Sequence, residues 1–234
     1  MIPLRQAYAR RLVETWPETR TAWRAAFYRI RLPLAAALMS VLAQSAPAIN
    51  VPTCGAPLDS ADAFFAQAEA EGYRALEPGT VMPEAIAERL SWVIAMPYLT
   101  ADTGGVPLSK VLEMQVESAG NLTRLKDTPK SAARAFVYDD QAAMIIRWQE
   151  TPVGFFSVHC SAALFLDDDA ELPPTEGRYG DFSRRKIDSV ADGLNVVIER
   201  FQLDRAAIRA EAPLSHPPHY IMTIVMDYSQ EVLE

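Results

Sequence analysis

Apolar residues along this chain switch between two spacings. From Ala61 onward, Ala61, Phe64, Phe65 and Ala68 recur at intervals of three and four, the period of one helix face, and Gly72 follows as a stop. Asp59 or Ser60 supplies the side-chain oxygen that can cap such a helix. A second helix is expected from Pro83, a residue that suits a first turn, with Ile86, Leu90 and Val93 on one face and Pro97 as its end. Asp102-Thr103-Gly104-Gly105 reads as a turn, and Leu108 to Val116 fits helix and strand equally.

The spacing then changes. Ala133 to Tyr138, Ala142 to Gln149 and Phe155 to Leu166 are rich in β-forming side chains. Asp139-Asp140-Gln141 and Glu150 to Gly154 separate them as hairpin connections. In the third stretch Phe156, Val158, Cys160, Ala162 and Leu164 share the better core face, while Phe155, Ser157, His159, Ser161, Ala163 and Phe165 point the other way. Residues 167–182 read as an acidic loop containing proline and glycine. After it, Ile187, Val190, Ala191, Leu194, Val197, Ile198 and Phe201 match one face of a long helix expected to cross the sheet. A short strand near Ala207 to Ala212 and a last one from Tyr220 to Tyr228 complete the prediction. Strands grouped together with helices at either end point to an α+β fold, with an antiparallel sheet of about four to five strands packed against amphipathic helices.

The first 48 residues follow a different pattern. Arg29-Ile30-Arg31 precedes the apolar run Leu32 to Ala43, and Ala46-Pro47-Ala48 is a small-x-small end. Those are the three parts of a secretory signal peptide. The run is short for a permanent membrane span, and Pro33, Pro47 and Pro52 oppose a continuous helix. The expectation is an export segment over residues 1–48, cleaved near Ala48, and one domain over 49–234 in the periplasm or outside the cell. Two alternatives are an uncleaved membrane anchor and a buried core helix. The 28 residues before Arg29 are long for a basic flank, as a start assigned too far upstream would produce.

Charge sharpens the division. The chain has 234 residues and a net charge of −8. Seven arginines against Glu14 and Glu18 give residues 1–48 a balance of +5, so the rest carries −13. An acidic domain has no general attraction for nucleic acid, and the only membrane contact expected is through the export segment. Two cysteines, Cys54 and Cys160, lie beyond the expected cleavage. In an oxidising compartment they are expected to form a disulfide, closing a loop of about 100 residues worth up to about 4–5 kcal/mol in the chain-entropy model.

Candidate chemistry is sparse. His159 stands between Ser157 and Ser161 on one strand face, the minimum for a general base beside a hydroxyl, yet neighbours two apart on a strand stand side by side. His216 and His219 flank Pro217-Pro218 and could share a metal with His159 or a carboxylate, although the prolines favour an extended, splayed backbone. Asp167-Asp168-Asp169-Ala170-Glu171 is acidic but lacks the alternation and glycine of a calcium loop. Arg178, Arg184, Arg185 and Lys186 form a basic group that could meet an anionic partner. No glycine-rich phosphate loop, dinucleotide fingerprint, nucleophile elbow or paired zinc motif is present, and no cofactor is expected. The leading expectation is a non-catalytic accessory or binding module with an unknown protein or small-molecule ligand. The alternatives are a small envelope hydrolase or transferase using His159 or His219 as general base, and a metal-binding protein.

Overall fold

The computed structural model describes residues 54–101, 105–152, 154–166, 172–187 and 193–233. The expected export segment, the turn over 102–104 and the acidic run 167–171 lie outside them. The described residues all belong to one compact unit, Leu42–Glu234. Its elements run α1 (Ala61–Ala70), β1 (Arg74–Ala75), α2 (Glu84–Leu99), α3 (Leu108–Gly120), β2 (Ser131–Tyr138), β3 (Ala142–Glu150), β4 (Phe155–Leu164), β5 (Gly180–Ile187), β6 (Leu194–Leu203), α4 (Arg205–Glu211) and β7 (Tyr220–Ser229). The fold is α+β. Among the described residues no helix is long and apolar enough to cross a membrane.

Local signals explain most boundaries. Ser60 caps α1 by accepting a hydrogen bond from the Ala63 amide at 3.3 Å. Gly72 follows that helix with φ of 93°, a left-handed conformation that suits glycine. Pro83 stands just before α2, and the helix runs through Pro97 to Leu99 instead of stopping at the proline. The ambiguous stretch from Leu108 is a helix, with Leu108, Val111, Leu112, Gln115 and Ala119 buried at helical spacing.

The sheet has seven strands in the order β1-β2-β3-β4-β7-β6-β5, more than the four to five expected, and every pairing is antiparallel. Two of the additional strands correct the sequence reading. Residues 194–203, expected as part of a long helix, form β6, and Gly180–Ile187, expected as loop end and helix start, form β5. Both faces of β6 carry apolar side chains: Phe201 packs in one core while Leu194, Val196 and Ile198 pack against the other. Two-sided burial hides the period of two and imitates helical spacing, while Val196, Val197 and Ile198 favour the strand. The converse correction is α4, expected as a strand. Asp204 caps it by accepting from the Ala207 amide at 2.9 Å, and alanine-rich Arg205–Glu211 has good helix propensity.

Helices cover both faces of the sheet. On one side α1 inserts Phe64, Phe65 and Ala68 among Phe136, Met144, Ile146, Val158 and Ile224. On the other, Leu90, Trp92, Met96 and Leu99 of α2, Leu112 of α3 and Ile208 of α4 meet Ile145, Ala163, Phe201 and Ile221. Cys54 and Cys160 are at disulfide distance, with a Cα–Cα separation of 6.2 Å, and both are buried. Nearby the Tyr228 hydroxyl donates to the Leu58 carbonyl at 2.6 Å, so the segment before α1 lies against both β4 and β7.

Candidate functional site

Antiparallel register decides which side chains share a surface. On the α2 side of the sheet, Arg147 of β3 stands directly opposite His159 of β4, which stands opposite Val225 of β7. One row further along, Gln149, Ser157, Asp227 and Asn195 line up across β3, β4, β7 and β6. A row in the other direction holds Ile145, Ser161, Thr223 and Glu199. Beyond it comes the apolar row Ala143, Ala163, Ile221 and Phe201 that packs in the core with α2. This face therefore grades from dry to wet. Its wet half exposes Arg147, Gln149 and His159 and leaves Ser157, Asp227 and Asn195 half-buried.

Hydrogen bonds within the rows organise that half. Ser157 donates to the Asp227 carboxylate at 2.6 Å, and the Ser161 and Thr223 hydroxyls are 3.0 Å apart. Thr223 also reaches the Met96 sulfur at 3.7 Å, where α2 begins to cover the sheet. The Arg147 and His159 side chains make no hydrogen bond or ion pair among the described residues, although cross-strand partners have Cβ atoms about 5 Å apart. A guanidinium and an imidazole at that distance present several donors to one point in solvent, the arrangement that suits a carboxylate or phosphate oxygen.

As a hydrolytic centre the same residues are poorly aligned. Ser157 and His159 project from one strand about 6.6 Å apart, beyond hydrogen-bond reach, and the serine hydroxyl is committed to Asp227. His219 lies elsewhere, ahead of β7. His159 pairs with Val225, six residues along that strand from His219, a separation of about 20 Å. His219 is buried, its Nδ1 accepts from the Leu166 amide at 2.9 Å, and its Nε2 lies 2.6 Å from the Arg205 guanidinium. Both ring nitrogens are thus occupied, and a cation already sits beside one of them. His216 is exposed while Pro217 and Pro218 are buried, so the His-Pro-Pro-His segment is a stiff connector from α4 into β7. Among the described residues no three His, Cys, Asp or Glu side chains gather around one point.

The basic group divides among several sites. Arg184 pairs with Glu199 across β5 and β6 at 3.4 Å. Arg178 contacts Glu211 of α4 at 3.1 Å, and the Tyr179 hydroxyl donates to the same carboxylate at 2.8 Å. Those two hydrogen bonds, Tyr179 first, hold the Glu211 carboxyl below its ordinary value. Burial, then the bond to Glu211, pushes the Tyr179 phenol up. Gly180 opens β5 at φ of 138°, and a Cβ there would collide with the Gln202 carbonyl.

Sequence reasoning singled out His159 and its serines but missed Arg147, Asp227 and Gln149. These come from other strands, and only register reveals the juxtaposition. No protein-family model, characterised protein or solved structure matches this chain.

Proposed function

We propose that this chain is a non-catalytic binding or accessory module that works outside the cytoplasm after loss of residues 1–48. The wet half of the sheet is its recognition surface. The observation that carries the reading is the opposed pair Arg147 and His159, exposed and not neutralised by any described neighbour. Side chains spaced by a pleated backbone are preorganised, so a ligand meets them without first ordering a loop. An anionic group of a small molecule or protein would sit on the pair, with the Gln149 amide donating a hydrogen bond beside it. A buried cysteine pair at disulfide distance supports an oxidising compartment.

The test is a titration of the isotopically labelled chain with small carboxylates and phosphates, followed by amide NMR. Shifts should concentrate on 145–149, 157–161 and 223–227 and disappear in Arg147→Ala/His159→Ala, whose exposed substitutions leave the fold intact. Unperturbed spectra across the panel would defeat the reading. Ester hydrolysis abolished by His159→Ala would replace it with the hydrolase alternative.

A further inference from the structure

A second surface, sharing no residue with the wet half of the sheet, lies between α2 and α3. The two helices and residues 212–215 after α4 line a groove of about 330 Å³. Trp92, Leu112 and Val116 line it, as does Leu214, which has 93% of its surface in water. An aliphatic side chain so exposed gains from any partner that covers it.

The charged residues that line the groove have one sign. Glu84 and Glu88 of α2 and Glu113 of α3 line it, and no lysine, arginine or histidine does. Lys110 pairs with Glu113 at 2.7 Å. Glu84 and Glu88 have no ion-pair partner among the described residues, and like charges one helical turn apart repel. A cation arriving between them relieves that repulsion, so the groove selects by charge as well as by apolar contact. Its volume is near the lower end for ligand pockets, about 300 Å³, and suits one or two side chains.

We propose that this groove docks a short basic segment of a partner protein. One Leu- or Phe-sized side chain enters against Trp92 and Leu112, and flanking Lys or Arg residues meet Glu84 and Glu88. Long, flexible cationic side chains on such a segment cover Leu214 with their methylene stems.

The experiment uses the purified chain and two synthetic nonapeptides, one alternating arginine with leucine and one alternating glutamate with leucine. The arginine peptide is expected to bind saturably and shift the Trp92 indole, Leu112 and Leu214 resonances. Affinity should fall about tenfold between low and physiological salt. Glu84→Gln/Glu88→Gln should weaken binding about five- to tenfold at an unchanged thermal midpoint. Leu214→Ser, a change in a fully solvated side chain, should weaken it independently. Equal binding of the glutamate peptide, or unaltered affinity in the glutamine variant, would overturn the proposal. So would shifts that map to the sheet face or follow protein concentration alone, the latter marking self-association. Hexylamine reproducing the shifts at the affinity of the peptide would assign the groove to small amines and remove the protein partner.

Discussion

At the scale of single residues, hydrogen bonds to buried or half-buried oxygens decide the outcome of substitution. The Tyr228 hydroxyl holds the Leu58 carbonyl, and burial raises its pKa to about 12. Burial, followed by the charge of Glu71 and then Tyr138, raises Tyr73 to about 12 as well. Both phenols ionise near 10 in an unfolded chain, so their contribution to stability is complete below pH about 10 and is lost as pH climbs toward about 12. Alkaline titration followed at 295 nm should show Tyr73 and Tyr228 ionising together with unfolding. Tyr228→Phe should lower stability to urea by about 1 kcal/mol, the value of a typical intramolecular hydrogen bond. Glu211 has the opposite sign. Its folded pKa is depressed, so the contacts with Tyr179 and Arg178 contribute above the ordinary carboxylate range and fade as pH falls through the lowered value. Glu211→Gln should flatten that acidic limb in thermal melts recorded across pH.

Among elements, legibility depended on whether one face or two became buried. α1 and the β2–β3–β4 run were readable because capping residues and turn residues mark their ends, and Asp139 takes the left-handed φ of 42° that the first hairpin demands. The stretch 194–203 was misread because apolar residues occupy both faces of β6, and the neighbouring α4 was misread because its Asp204 cap went unnoticed. Asp204→Ala should therefore cost about 1 kcal/mol in denaturant unfolding and loosen amide protection over 205–211. Of the candidate site, only His159 and its two serines were visible. Arg147 is twelve residues away and Asp227 far beyond it, and strand register is set by pairing that no local window contains.

For the molecule as a whole, the Cys54–Cys160 pair brings together positions 106 apart in sequence, and a disulfide between them should matter more than any single contact. Cys54→Ala/Cys160→Ala should lose up to about 4–5 kcal/mol in urea unfolding, and a dithiol reductant should reproduce the loss in the wild-type chain. Intact protein from its native host should start at Ile49 and be two hydrogens lighter than the reduced chain; a full-length reduced species would remove the extracytoplasmic reading. The sheet order places one further constraint on how this molecule comes into being. The last strand among the described residues, β7, is inserted between β4 and β6 near the middle of the sheet. A polypeptide emerging from a ribosome thus holds two unzipped strand borders until β7 is available, and only then does the centre close. Termination before Tyr220 would release a species with both borders bare, prone to clump, and a holding chaperone would be needed until β7 arrives.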